Sequence, residues 1–296
     1  MKCLLQKAVS GFFYLETADG VFEAKARGVL KRDGMSPVAG DWVEATFENE
    51  QLVIHEIYPR KNFFVRPPMA NIDKLFIVSS QSTPKPNALL IDRLIAIAEM
   101  KEMQPILVFN KSDLGDFDAD VLDAYQKSGI TFYVISCKDN LGIDSLRQEI
   151  KGAVSAFVGN SGVGKSTLLN SIIGQYRQHT GDVSQKLGRG RHTTRQVELV
   201  KLGDNTYIAD TPGFSTLDMQ AYETFYKENL PRGFREFAPF VGNCRFATCT
   251  HTTEPGCAVL SAVQNGIIGK SRHDSYISIF DEVKNLQPWQ IKKKKK

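Results

Sequence analysis

Gly159-Asn160-Ser161-Gly162-Val163-Gly164-Lys165-Ser166-Thr167 decides the fold. The stretch fits G-x-x-x-x-G-K-[ST], and its surroundings are those of a phosphate loop, with an apolar strand over 154–158 running in and a helix over 167–173 running out. Its glycines let the backbone curl until several N–H groups converge on a β-phosphate at a helix N-terminus. Lys165 then bridges β- and γ-oxygens, and the Ser166 hydroxyl ligates Mg2+.

Upstream, short apolar runs alternate with amphipathic stretches: strands over 74–79, 105–109 and 131–135, helices over 88–101, 119–128 and 143–151. This alternation predicts a mostly parallel sheet covered by helices, in which ligand contacts emerge from the loops at strand ends. Asn110-Lys111-Ser112-Asp113 follows one such strand. The Asp113 carboxylate accepts from guanine N1–H and the 2-amino group, which adenine lacks, while Asn110 braces the loop and donates toward the ring and Lys111 lies along its face. Ser136-Cys137-Lys138 follows the next strand and offers a backbone N–H to guanine O6. Downstream, Asp210-Thr211-Pro212-Gly213 follows a strand over 206–209, where Asp210 holds Mg2+ through water and the Gly213 N–H approaches the γ-phosphate.

The guanine elements precede the phosphate loop and the Mg2+ elements follow it, so the order is that of a circularly permuted GTPase domain. Between them, residues 175–195 are basic, glycine-containing and without helical or strand periodicity, as expected of a switch loop. Thr193 or Thr194 is the expected ligand of Mg2+ and the γ-phosphate. His192 beside them either positions water or is a solvated or RNA-facing imidazole. Phe214 stands where many GTPases place a water-orienting Gln, so hydrolysis without a partner is expected to be slow.

Further downstream, Cys244-x4-Cys249-x-His251-x5-Cys257 offers three thiolates and one imidazole, a closed set suited to structural Zn2+. Apolar positions at helical spacing over 225–240 and 276–286 suggest a small helical domain pinned by that metal. At the other end, residues 1 to about 60 alternate as strands, with runs over 11–16, 21–26, 41–47 and 51–57 and turns at Ala18-Asp19-Gly20 and Asn49-Glu50. An OB-like or SH3-like barrel is expected, whose Phe12, Phe13, Tyr14, Phe22 and Trp42 either stack on RNA or fill the core. Pro67-Pro68 ends the alternation, because consecutive prolines do not fit a sheet ladder. The expected domains are therefore an RNA-binding barrel over 1–66, a permuted GTPase over 67–220 and a zinc-binding helical domain with a basic tail over 221–296.

Composition agrees with this plan. The 296 residues suffice for two or three domains, and 42% hydrophobic with 24% charged residues is a globular balance. No apolar run has membrane length and the start has no signal-like core, so a cytoplasmic protein is expected. Five cysteines are an odd number for a disulfide framework. The net charge of +4 is more than covered by the five lysines at 292–296, so any nucleic-acid partner must be met locally, by residues 177–195 and 227–296.

Together, the barrel, the permuted order of Asn110–Asp113, Gly159–Ser166 and Asp210–Gly213, the Gly190-Arg191-His192-Thr193-Thr194 segment and the Cys-x4-Cys-x-His-x5-Cys cluster resemble the RsgA (YjeQ/YloQ) family of small ribosomal subunit biogenesis GTPases. The resemblance spans nearly the whole chain. It implies a cytoplasmic, monomeric GTPase that acts on late 30S subunits and their 16S rRNA, is stimulated by them and leaves after converting GTP to GDP, with one Zn2+ and a nucleotide-bound Mg2+. It also implies His192 as the catalytic residue and Thr194 as the switch threonine. Cys137 stands where guanine-binding proteins commonly have Ala, which a backbone contact tolerates, and Gly162 stands where potassium-activated GTPases carry Asn, so potassium dependence stays open. Two other classes fit the same residues: an RNA-binding assembly chaperone that uses GTP only as a placement switch, and a permuted GTPase of the large subunit.

Overall fold

A computed structural model of the chain describes residues 1–28, 30, 36–81, 84–180, 197–210 and 226–286. Its strands are β1 Lys2–Val9, β2 Phe12–Thr17, β3 Gly20–Ala26, β4 Trp42–Glu48, β5 Gln51–Ile57, β6 Phe63–Val65, β7 Pro68–Ala70, β8 Lys74–Ser80, β9 Gln104–Asn110, β10 Thr131–Val134, β11 Val154–Gly159, β12 Glu198–Gly203 and β13 Thr206–Asp210. Its helices are α1 Ala88–Met100, α2 Ala119–Lys127, α3 Ile143–Glu149, α4 Lys165–Thr180, α5 Ala258–Gln264 and α6 Lys270–Val283. The chain divides into two compact units, one of Met1–Lys74, Arg147–Phe157 and Leu169–Phe214, the other of Leu75–Leu146, Val158–Leu168 and Ser215–Lys296.

In the first unit β1 to β5 pair in the order β1-β2-β3-β5-β4, β3 runs parallel to β5, and β4 closes back on β1. This is the five-stranded OB-type barrel. Period-two alternation drives it: Phe13 and Leu15, Val43 and Ala45, and Leu52 and Ile54 turn inward with Cys3, Leu5 and Ala24 to form one buried cluster. Among the aromatic candidates, Phe13 fills this core, whereas Phe12 is exposed and Phe22 packs edge-to-face against Phe47 at the surface. The half-buried Trp42 ring lies under the Lys2 ammonium at 4.9 Å, and the Tyr14 hydroxyl donates to Glu23.

β1 was not among the expected strands, because the alternation breaks at Gln6. The register of β1 against β2 shifts between Leu5 and Lys7, which is a bulge. The consecutive prolines do not exclude pairing either. Pro68 opens β7 opposite Val65 of β6, in a two-stranded sheet whose strands are both edges, so the missing N–H costs nothing.

The same unit contains β11, β13 and β12. β13 runs parallel to β11, and β12 pairs antiparallel with β13 on one side and with β1 on the other. In the second unit β10 runs parallel to β9, and the segment after residue 226 packs against α1 and α2. The helical spacing expected over 225–240 is realised as two 3-10 turns, Leu230–Gly233 and Arg235–Phe237. Pro231 and Gly233 interrupt an α-helix there, and Gly233 lies so close to α1 that a Cβ would stand 2.7 Å from that of Ala96. α6 covers most of the second helical stretch and sends Tyr276, Ile279, Phe280 and Val283 into the interior. Among the described residues no helix is long and apolar enough to cross a membrane.

Candidate functional site

The phosphate loop leaves β11, whose six residues are all buried, and ends where Lys165 begins α4. Two of its glycines are required by their surroundings. A Cβ on Gly159 would stand 2.4 Å from the Val78 carbonyl oxygen, and one on Gly164, at φ +91°, would stand 2.3 Å from Asn110 Nδ2. At that second approach Asn110 Nδ2 donates to the Val163 carbonyl at 2.9 Å while its Oδ1 accepts from the Cys137 N–H at 3.2 Å. Asn110 is 2% exposed, so one buried amide ties three loops together: its own, the phosphate loop and residues 136–138.

Around it lie the other residues expected to meet guanine. Lys111 takes a left-handed conformation at φ +68°, and the Ser112 N–H donates to the Ile135 carbonyl. The Ser136 hydroxyl lies 3.0 Å from Asp113 Oδ1 and from Asp139 Oδ2, and Lys138 Nζ stands 3.6 Å from Asp113 Oδ2. Asp113 is thus held by a hydroxyl and an ammonium with its carboxylate fixed in orientation. Within residues 136–138 the Cys137 N–H donates to Asn110 Oδ1, and burial pushes the Cys137 thiol up, keeping it protonated. Sequence reasoning used only the backbone of residues 136–138 and missed the Ser136 hydroxyl. The sequence carries no signal for it.

On the phosphate side, Lys165 Nζ donates to the Gly159 carbonyl at 3.0 Å, and burial lowers the ammonium's pKa. Asn160 and Gly164 are half-buried, Ser161 and Gly162 line the loop with Val163 buried beneath, and Ser166 and Thr167 open the helix. Asp210 ends β13, one residue beyond the Ala156–Ala209 pair that aligns β13 with β11. His192, Thr193, Thr194, Gly213 and Phe214 lie outside the described residues, as do Arg189, Arg191, Arg195 and the lysines at 292–296.

A second constellation lies after residue 240. One donor atom from each of Cys244, Cys249, His251 and Cys257 falls within 4.8 Å of the others. Cys244 Sγ is 3.5 Å and Cys257 Sγ 3.6 Å from His251 Nδ1, and the two sulfurs are 3.9 Å apart. Tetrahedral Zn2+ with its usual bond lengths implies S···N edges of about 3.6 Å and S···S edges of about 3.8 Å. The donor set therefore fits the ion in both chemistry and spacing. Burial lowers the His251 pKa, favouring the neutral imidazole a metal needs, and burial among the other donors pushes the Cys249 thiol up to about 12. The four donor atoms thus lie close enough together to hold one metal ion.

The surroundings of this cluster were not legible in advance. The Ala258 and Leu260 N–H groups point at the Cys244 and Cys257 sulfurs. His273 Nε2 bonds the His251 carbonyl at 2.8 Å, and the Tyr276 hydroxyl donates to the Thr250 carbonyl at 2.7 Å. Burial alone would raise the Glu254 carboxyl, but hydrogen bonds from Thr250 and from backbone N–H groups outweigh it and hold the carboxyl at about 2. α6 joins this module to α1 through Arg272, which is 1% exposed. Its guanidinium pairs with Asp92 at 2.7 Å and with Glu236 at 2.7 Å, and lies 4.6 Å from the Phe234 ring centre.

Comparison with known proteins agrees with this geometry. The RsgA GTPase family model matches residues 57–220, and the RsgA N-terminal domain model matches residues 3–53. A small ribosomal subunit biogenesis GTPase RsgA from Caldanaerobacter subterraneus subsp. tengcongensis is 41% identical over 284 residues, covering 95% of this chain and 95% of that protein. Its namesake from Streptococcus pneumoniae is 41% identical over 293 residues, covering 98% and 97%. The crystal structure of YjeQ from Thermotoga maritima aligns with a TM-score of 0.80 at 31% identity over 97% of this chain and 99% of its own. YloQ, described as a circularly permuted GTPase, aligns with a TM-score of 0.78 at 31% identity over 97% and 96%. A barrel, a permuted nucleotide site and a Cys3His module in this order, matched along their whole length, place the chain in the RsgA family of GTPases.

Proposed function

We propose that this GTPase binds the small (30S) ribosomal subunit late in its maturation, hydrolyses GTP there at a rate raised by the subunit, and leaves in the GDP state. The observation that carries the proposal is the full-length likeness to proteins named for small-subunit biogenesis, joined to a guanine site whose Asp113 is held by Ser136 and Lys138.

In this reading Asp113 accepts from guanine N1–H and the 2-amino group, and Asn110 keeps the guanine loop and the phosphate loop in fixed relation while its second amide hydrogen serves the ring. Lys111 covers the ring face. The loop N–H groups of residues 159–164 bind the β-phosphate, and Lys165 leaves the Gly159 carbonyl for β- and γ-oxygens. Ser166 and Thr194 would hold Mg2+ directly and Asp210 through water; the ion neutralises charge on the β- and γ-phosphates when bound. Gly213 donates to the γ-phosphate, and His192 orients the attacking water when the subunit is bound. Cys244, Cys249, His251 and Cys257 would hold one structural Zn2+, leaving no open position for chemistry.

The three parts proposed are the RNA-binding barrel over 1–66, the GTPase over 67–220 and the zinc module over 221–296. The barrel meets 16S rRNA with exposed Phe12, Phe22 and Phe47, and the zinc module does so with exposed Phe246 and its neighbour Arg245. We place the protein in the cytoplasm as a monomer. Sedimentation through a sucrose cushion tests the partner. The chain should co-pellet with 30S subunits in a non-hydrolysable GTP analogue and stay in the supernatant with GDP; equal pelleting with 50S subunits, or none with either, would overturn the assignment.

A further inference from the structure

Lys7 of β1 stands opposite Glu198 of β12, and Glu198 stands opposite Asp210 of β13. Directly opposed residues on antiparallel strands project to the same face, so one row of side chains runs from the barrel through Glu198 to Asp210. Lys7 Nζ meets Glu198 Oε2 at 2.7 Å, engaging a carboxylate that stands beside Asp210 in the row. Three positions further along, Lys201 stands opposite Tyr207, on the other face of the same hairpin. There Glu16 of β2 pairs with Lys201 and accepts from the Tyr207 hydroxyl, while Gln6 Nε2 donates to its second oxygen at 2.5 Å.

The barrel therefore holds the β12–β13 hairpin at two points, once by Lys7 and once by Glu16. Among the described residues the backbone ladder between β1 and β12 is the Lys7–Glu198 pair, to which the side chains of Lys7 and Glu16 add. The register of β1 against β2 shifts at this same place, between Leu5 and Lys7. Burial and the hydrogen bond to Glu16 push the Tyr207 phenol up, in keeping with a closed seam on that face.

We propose that Lys7 and Glu16 are positioning residues for Asp210: the barrel sets the register of the β12–β13 hairpin and so couples its own state to the Mg2+ side of the nucleotide site. The inference rests on the reading of Asp210 as a Mg2+ residue. Because coupling is reciprocal, Mg2+-nucleotide binding must in turn change how firmly the barrel strands are held. Lys7 and Glu198 are 34% and 53% exposed, and exposed ion pairs are individually weak, so the expected effects are a few-fold rather than all-or-none.

The test measures the Mg2+ concentration for half-maximal GTP hydrolysis in the full chain, with kcat and KM for GTP at saturating Mg2+ and a melting curve for each variant. Glu16→Lys, which sets like charges against Lys201, should raise half-saturating Mg2+ about threefold or more and lower kcat, with KM for GTP changed less than about twofold. The charge swap Glu16→Lys with Lys201→Glu should return it to within about twofold of wild type, which a merely destabilised barrel would not do. Should Glu16→Lys fail to fold, Glu16→Gln and Lys7→Gln decide instead, each with an expected rise of about twofold. An unchanged Mg2+ requirement in the folded variants, or a swap that melts like wild type without recovering, would overturn the coupling. Asp210→Asn is the control: if it leaves the Mg2+ requirement unchanged, the reading of Asp210 fails and the proposal falls with it, whereas a large rise there beside unaffected Glu16 and Lys7 variants refutes the coupling alone.

Discussion

Replacing Asn110 by alanine should separate nucleotide affinity from folding. The side chain makes one buried hydrogen bond, to the Val163 carbonyl at 2.9 Å, and one part-buried hydrogen bond, from the Cys137 N–H at 3.2 Å, and so joins those two loops. Leaving a buried donor or acceptor without its partner costs about 1–3 kcal/mol, and because the Cys137 N–H is only part-buried the two together amount to roughly 2–5 kcal/mol. Most of that cost should fall on nucleotide binding. In the free protein the loops can relax toward water, whereas the bound nucleotide requires them back in register. At 1.4 kcal/mol per decade, affinity for GTP and GDP should drop between about thirtyfold and a few thousandfold. Asn110→Asp keeps the acceptor for Cys137 but turns an oxygen toward the Val163 carbonyl, so it should bind nucleotide no better than the alanine variant. Fluorescence titration with a labelled GDP, alongside thermal melting, measures both quantities. Affinity within about threefold of wild type in a folded Asn110→Ala protein would refute the idea that this amide organises the site.

Asp113→Asn should shift preference from guanine toward xanthine nucleotides, since an amide donates where the carboxylate accepted; a competition titration reads the change, and retained guanine preference would count against Asp113. Freshly purified protein should carry about one zinc per chain by elemental analysis, and Cys249→Ser should loosen residues 240–260 to proteolysis while leaving GTP affinity within a few-fold of wild type. Arg272→Ala would strand Asp92 and Glu236 in the interior, at a cost of about 3–5 kcal/mol in chemical denaturation, whereas adding Asp92→Asn and Glu236→Gln to it should recover part of that loss.

Much of the nucleotide site was legible because its requirements are local. A phosphate loop needs glycines where backbone must come close, and the contacts that forbid a Cβ at Gly159 and Gly164 are the physical form of that motif. Asn110–Asp113 and Ser136–Lys138 were placed by following strands to their ends, and the barrel by alternation of Phe13 and Leu15 or Leu52 and Ile54. What sequence reasoning missed depends on distant partners or on broken periods. β1 was hidden by its bulge at Gln6, and β12 is a short strand whose pairing with β1 joins residues 191 apart. Residues 225–240 have helical spacing, but Pro231 and the close approach of Gly233 to α1 force 3-10 turns. The Arg272–Asp92–Glu236 cluster joins residues up to 180 apart, so each charge read alone looks like a solvated face. The Ser136 hydroxyl gives no signal of its own in the sequence, since it meets its partners Asp113 and Asp139 only through the turn after β10.

The central claim, a guanine-nucleotide hydrolase switched on by the small ribosomal subunit, is tested most directly by phosphate release from GTP under multiple turnover. The chain is measured alone, with purified 30S subunits and with purified 50S subunits at equal concentration, and again with His192→Ala in place of wild type. Slow release alone, strong stimulation by 30S only, and loss of most of that stimulation in a His192→Ala protein that still binds GTP and 30S is the predicted pattern. Equal rates in all three mixtures, or stimulation by 50S rather than 30S, would contradict it.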